Sequence, residues 1–395
     1  MATTKTVVII GASWAGIKTA HTILKSIPDV KVILVNPSSK HYYNIAAPRV
    51  LAKPEAFKPD QYMFTIPELF QKYDTKLVSF VQGAARSIDV DGKTITVAVT
   101  GAEAEGKELG ESVISFDYLV IASGSTTTAT LGQGSVLAPF KTTGSDEIQH
   151  AIEQAQKIIS EAKTIIVGGA GAVGVEFCGE LGEAFQGEKD TSITLLTRTD
   201  RILPGLKASA SKKAHDILSK LGVNIRTSAI VTSASQDPSS KKWIVTLEGG
   251  ETLTADAYIA TTGVIPNNDF IPADLKAGDG WVPVDAEFRV QRTDGKSNEK
   301  LPIYAVGDIT THTPRMLAKI AGQVPVLVAN LKADIEKSEG KRPQYSSSDT
   351  ILMFVPIGAR SGTGQLWFFV VWGWLVALLK GKDFFLSMAN SLLKK

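Results

Sequence analysis

The apolar positions of the chain fall in short runs that stop at glycine. Val7-Val8-Ile9-Ile10 runs into Gly11-Ala12-Ser13-Trp14-Ala15-Gly16, after which Ile17, Ala20, Ile23 and Leu24 recur at helical spacing. The plan returns at Thr164-Ile165-Ile166-Val167, which enters Gly168-Gly169-Ala170-Gly171-Ala172-Val173-Gly174 and continues into Val175, Phe177 and Leu181. An unbroken apolar run predicts a buried strand, and the helical period after the glycines predicts a helix. Further strands are expected at Val32-Ile33-Leu34-Val35 and Ile193-Thr194-Leu195-Leu196. The chain therefore carries an internal repeat of strand, glycine turn and helix.

Such a turn is suited to a pyrophosphate. Small residues admit the ligand close to the backbone, and the helix start offers free N–H groups to its charge. Two copies, each between strand and helix, are far more specific than one. Gly11, Ser13 and Gly16 form the first candidate cradle, with Ser13 at the middle glycine position, and Gly169, Gly171 and Gly174 form the second. The strand after the first cradle ends at Asn36, where an acid would hold ribose hydroxyls; Asn36 can still hydrogen-bond a ribose, without the charge. The strand after the second ends at Thr197-Arg198. Arg198 could pair with a 2′-phosphate, which points to use of NADPH beside NADH, or it could be a solvated loop charge.

Two similar runs join the copies: Phe116-Asp117-Tyr118-Leu119-Val120-Ile121-Ala122-Ser123-Gly124 and Asp256-Ala257-Tyr258-Ile259-Ala260-Thr261-Thr262-Gly263. Each is a strand ending at a small-Gly turn after a polar stretch with hairpin punctuation, Val90-Asp91-Gly92-Lys93 or Glu248-Gly249-Gly250-Glu251. The polar run from Gly101 to Glu111 reads as a hairpin tip. Leu301-Pro302-Ile303-Tyr304-Ala305-Val306-Gly307-Asp308 is a last strand, ending where a carboxylate could meet a flavin's polyol chain. The fold expected is α/β, with two Rossmann-like, three-layer dinucleotide-binding domains, the second inserted in the first, and a small C-terminal unit. Residues 1–140 and 270–344 form the first domain, 141–269 the second and 345–395 the last.

Composition narrows the chemistry. The 395 residues include 42 Lys plus Arg and 40 Asp plus Glu, a net charge of +2, which leaves no electrostatic footprint for nucleic acid. One cysteine, Cys178, excludes an intrachain disulfide, a redox dithiol and a cysteine zinc cage, and no metal site is expected. The N-terminus lacks a secretory signal, and Ala2 stands where myristoylation needs glycine. The protein is expected to be intracellular, cytoplasmic or mitochondrial. Near the other end, fourteen uncharged residues, 366–379, include Trp367, Trp372 and Trp374 and are followed by Lys380 and Lys382. The stretch is short of the ~20 residues of a membrane span. It fits peripheral contact with an anionic lipid surface, or a C-terminal helix packed on the core or on a second subunit of a homodimer.

The ordered set of motifs resembles the two-dinucleotide-binding-domain flavoprotein superfamily over about residues 5–335. That resemblance implies FAD at the first cradle, with Ser123, Gly124, Asp308 and Pro314 around it, and NADH or NADPH at the second, with Gly263. It implies that Glu176, the acid after Gly174, stands near the nicotinamide; an ordinary surface acid in a first helical turn is the alternative. Disulfide- and sulfide-handling branches need cysteines that this chain lacks. Tyr43-Asn44-Ile45-Ala46-Ala47-Pro48-Arg49, Thr313-Pro314-Arg315-Met316 and Leu379-Lys380-Gly381-Lys382-Asp383-Phe384-Phe385 are similar to the ferroptosis-suppressor, apoptosis-inducing-factor-homologue branch. This branch implies FAD-dependent NAD(P)H:quinone oxidoreduction with a hydrophobic quinone at a membrane surface, Arg49 among the FAD residues and Lys380 near the flavin. A membrane-edge lysine is the alternative for Lys380. Two other activities fit the same motifs: a soluble ferredoxin or rubredoxin reductase, and a redox-sensing flavoprotein of low turnover.

Overall fold

A computed structural model describes residues 4–100, 108–295, 300–347 and 351–394. The first repeat lies at the centre of a seven-stranded sheet. Strand Lys5–Ile10 runs parallel to Val30–Asn36 on one side and to Tyr118–Ile121 on the other, and Ile303–Ala305 and Val78–Asp89 extend the parallel part outward. Side chains alternate across a strand. Val7 and Ile9 accordingly enter the core shared with helices Trp14–Ser26 and Leu317–Ile335, while Val8 and Ile10 enter the core on the opposite face with Ile95, Ile271 and Val282. Both faces are covered, which is why the strand reads as unbroken apolar sequence.

Strand Val78–Asp89 outruns its parallel neighbour and pairs antiparallel with Thr94–Thr100, which pairs in turn with Glu108–Ser115. The turn expected at 90–93 joins the first two; Gly92 N–H donates to Asp89 Oδ1 at 2.9 Å. Of the tip expected at 101–111, residues 101–107 lie outside the described residues.

The second repeat builds its own parallel sheet in the order Val223–Arg226, Ser192–Leu196, Thr164–Gly168, Ala257–Ala260. An antiparallel three-stranded sheet, Val231–Gln236, Trp243–Leu247 and Thr252–Ala255, accompanies it. The chain enters and leaves this region side by side: Ser125–Thr126 pairs antiparallel with Ile265–Pro266. Ser123 Oγ donates to Asn267 O and Asn267 Nδ2 to Ser123 O, each at 2.8 Å. Strand Ile303–Ala305 then rejoins the first sheet. The fold is the α/β arrangement of two Rossmann-like units.

The C-terminal unit takes a form that the apolar run did not announce. Residues 366–379 are not one helix. Leu352–Ile357 pairs antiparallel with Ser361–Leu366, which pairs with Phe369–Val370. Trp367, with φ +51, reverses the chain between the last two strands. A short helix, Gly373–Val376, runs into a π-helical turn, Ala377–Gly381. Val355 and Ile357 face inward and join the core of the second unit. The close approach falls on Gly179 of helix Ala172–Ala184, where a Cβ would stand 2.7 Å from Gly358 N and 2.8 Å from Ile357 Cα. With a sheet laid on its outer side, that helix is buried without a break from Gly174 to Gly182. No helix among the described residues is long and apolar enough to cross a membrane.

Candidate active site

The two glycine turns are built alike. Gly11 N–H donates to Val35 O at 2.8 Å and Gly169 N–H to Leu196 O at 2.9 Å, so each turn hangs from the end of the adjacent strand. Their φ values, +102 and +108, lie in the region that glycine alone enters freely. A Cβ on Gly16 would stand 1.8 Å from Gly11 O, and one on Gly174 2.0 Å from Gly169 O. Those positions let each helix start against its own turn. A Cβ on Gly171, Gly124 or Gly263 would meet nothing within 4 Å. Gly171 and Gly263 face a cavity of about 770 Å³. Open backbone at a helix start is the cradle that a pyrophosphate requires, and the residues fit such a group.

The cavity joins regions far apart in sequence. Gly171, Val173 and Gly263 line its second-unit side, and Trp14, Asn44 and Lys141 its first-unit side. Met316 and Leu317, at the start of helix Leu317–Ile335, bring the positive end of a helix dipole to the wall. Leu352, Met353, Phe354, Met388 and Leu392 make an apolar end.

Glu176 and Lys380 both line the cavity, and they are paired. Lys380 Nζ donates to Glu176 Oε1 at 2.6 Å and to Phe354 O at 3.3 Å. Glu176 is 4% exposed, which rules out the surface-acid alternative. Burial raises its carboxyl pKa above the ordinary value, and the Lys380 charge and hydrogen bond oppose the rise.

The other expected residues divide into groups. Ser13 is half-buried in the first turn. Asn36 Oδ1 accepts from Ala12 N–H at 2.9 Å, and its Nδ2 donates to Ser38 O at 2.7 Å, so the side chain braces the first turn. Asp308 Oδ2 accepts from Lys141 Nζ at 2.7 Å and from Ser125 Oγ at 2.9 Å. Pro314 directly precedes the wall residues Arg315 and Met316. Arg198 is exposed beyond strand Ser192–Leu196. Arg49, expected beside FAD, is buried and is not among the residues that line the cavity. Its Nε and Nη2 donate to Glu180 at 2.9 and 2.7 Å, and its Nη1 donates to Lys382 O at 2.9 Å.

Several wall residues escaped the sequence reading. Trp14 Nε1 donates to Asn44 Oδ1 at 3.1 Å, and Asn44 Nδ2 to Phe140 O at 3.3 Å, a chain that braces the mouth of the first turn. Nothing in the sequence singles out Lys141, which bonds Asp308. Glu180 and Glu183, one turn and nearly two beyond Glu176, were visible as acids on one helical face. Lys53 bonds both, at 2.8 and 2.7 Å. Nothing local names such partners.

Residues 5–324 match the pyridine nucleotide-disulphide oxidoreductase family. The chain is similar to the oxidoreductase ptaL of Pestalotiopsis fici, at 35% identity over 384 residues and 95% of each chain. It is similar to ferroptosis suppressor protein 1 of Homo sapiens, at 26% identity over 393 residues, 96% of this chain and 94% of that one. The sulfide:quinone oxidoreductase of Aquifex aeolicus shares the fold, with a TM-score of 0.75, 17% identity and coverage of 98% and 92%. Cys178 is buried in helix Ala172–Ala184 and has no second cysteine to pair with. Two glycine turns built alike, the second of them opening on the cavity, and a family match over most of the length lead to one conclusion: the chain belongs to the pyridine nucleotide-disulphide oxidoreductases, as an FAD- and NAD(P)-dependent oxidoreductase that has no redox disulfide of its own.

Proposed function

We propose that this protein is an FAD-dependent NAD(P)H:quinone oxidoreductase that meets a hydrophobic quinone at a membrane surface. One observation carries the reading: a single cavity runs from the second glycine turn, past the Glu176–Lys380 pair, to an apolar end formed by the C-terminal unit. With no dithiol to relay electrons, the acceptor must come to the flavin itself.

In this reading Gly11, Ser13, Gly16 and Asn36 hold the adenosine and pyrophosphate part of FAD, and Ser123, Gly124, Asp308 and Pro314 surround the rest. Gly169, Gly171, Gly174 and Gly263 hold the nicotinamide nucleotide, and Arg198 meets the 2′-phosphate when that nucleotide is NADPH. FAD supplies hydride acceptance and onward transfer of one or two electrons. Lys380 Nζ puts a positive charge on the cavity wall, where negative charge develops on reduction, and the helix start at Met316–Leu317 adds to it. Glu176 Oε1 fixes that ammonium, and its raised proton affinity lets the pair hold a proton between Oε1 and Nζ. Leu352, Met353 and Phe354 exclude water from the apolar end.

The membrane part of the reading rests on the outer side of the same unit. Phe368, Trp372 and Trp374 are 66%, 67% and 62% exposed, beside Leu378 and near Lys382. Tryptophan-rich apolar surface next to cations suits an anionic lipid interface. The test is rapid mixing of NADH-reduced, FAD-loaded protein with a ubiquinone analogue. Reoxidation within the turnover time is expected. Reoxidation only by an iron–sulfur carrier, or a long-lived reduced complex, would replace the quinone reading with one of its two alternatives. Phe368→Ser/Trp372→Ser/Trp374→Ser should keep the visible spectrum and lose sedimentation with anionic vesicles.

A further inference from the structure

Two of the three sequence stretches similar to one flavoprotein branch, 43–49 and 379–385, are joined in one structural unit. Tyr43 O–H donates to Phe385 O at 3.0 Å, and Arg49 Nη1 donates to Lys382 O at 2.9 Å. The Arg49 guanidinium also lies 4.9 Å from the centroid of the Phe384 ring, which is fully buried. The carbonyls so capped stand where a helix has just ended. Lys382 N–H closes the π-helical turn on Ala377 O at 2.8 Å, after which Phe384 and Phe385 take φ of +53 and +63. Carbonyls at a helix end have no partner within the helix, and left-handed backbone at two bulky residues is held only by its surroundings. Within the segment Asp383 accepts from Phe385 N–H and Ser387 N–H, each at 3.0 Å, and from outside it Arg49 and Tyr43 are among those surroundings.

The far side of Arg49 is held as firmly. Its Nε and Nη2 clamp Glu180, which is fully buried and sits one helical turn after Glu176. Helix Ala172–Ala184 thus grips the C-terminal segment at two rungs: Glu176 takes Lys380 directly, and Glu180 takes Lys382 through Arg49. We propose that Arg49 is a positioning residue, which sets Lys380 over Glu176 by anchoring the segment that carries it. The proposal rests on the function read above only in giving Lys380 a task in turnover. Arg49 itself touches neither the cavity nor a ligand there.

The experiment uses the full, FAD-loaded chain. Arg49→Met alone leaves the buried Glu180 carboxylate with Lys53 as its remaining cation and without the guanidinium fork, so Arg49→Met/Glu180→Gln, which removes both charges, is the decisive variant. Thermal melting and the visible spectrum establish that it is folded and loaded. Amine acetylation, followed residue by residue by peptide mass spectrometry and referred to the exposed Lys163, reads the placement of Lys380 without any acceptor. Lys380 should label about tenfold faster than in the unaltered protein. NADH-dependent kcat should fall about tenfold or more with KM for NADH little changed, as displacement of a positioned group predicts. Arg49→Lys/Glu180 intact, which restores the charge but not the fork that reaches Lys382 O, should resemble the double variant in labelling. A folded, loaded double variant with unaltered Lys380 labelling overturns the proposal. Failure of the quinone reading leaves the labelling comparison standing.

Discussion

The two glycine turns share a plan but differ at the mouth. At the first, Asn36 Oδ1 accepts from Ala12 N–H, and Ser13 and Trp14 are half-buried. At the second, Gly171 faces open cavity, and the matching strand end turns inward: Thr197 Oγ1 pairs with Thr199 Oγ1 at 2.8 Å. One turn is braced by a side chain, the other open to the cavity. The asymmetry suits a ligand that stays at the first turn and one that exchanges at the second. It follows from a few side chains, since the backbones superpose in their hydrogen bonds and φ values.

The sharpest way to break the comparison is to close each turn in turn. Gly16→Ala drives a methyl against Gly11 O, a backbone atom with nowhere to go, and the protein should purify colourless, without FAD. Gly174→Ala places its methyl near Gly169 O and should leave the yellow colour intact while raising KM for the nicotinamide nucleotide about 10- to 100-fold, the equivalent of about 1–3 kcal/mol of overpacking. Loss of colour in both variants, or in neither, would remove the division of labour. A smaller effect is expected at the brace. Asn36→Ala leaves the buried Ala12 N–H without its acceptor, at about 1–3 kcal/mol, and FAD should leave faster on dialysis. Asn36→Asp keeps an acceptor and should retain FAD at least as well. The smallest change is expected from Arg198→Ala on the exposed end of the second unit. The ratio of NADPH to NADH efficiency should drop about tenfold, the value of one charge-assisted contact, and an unchanged ratio would show that this end is blind to the 2′-phosphate.

These residues also show what can be read without coordinates. Both turns, the strands before them and the hairpins at 90–93 and 248–251 were legible because each is encoded by neighbours: a run, a glycine spacing, a turn tetrapeptide. The resemblance implied Glu176 near the nicotinamide and Lys380 near the flavin, but not that the two pair, since 204 residues separate them. Arg49 was assigned to the flavin side because a sequence position carries no direction for a side chain. The buried acid that claims it, Glu180, lies 131 residues away. The form of the aromatic stretch 366–379 was open for another reason. Apolar residues without a clear period fit a helix or a hairpin equally, and here residues 366–370 complete a small sheet with Leu352–Ile357 and Ser361–Leu366.

By itself, then, the order of residues determined the repeat and the chemistry it serves, because a strand, a glycine turn and a helix start are local structures with local causes. Tertiary structure decided which charges meet, which turn opens on the cavity and which aromatic side chains stay outside. Those outcomes depend on surfaces brought together from distant parts of the chain, where burial makes a partner obligatory but leaves its identity to packing.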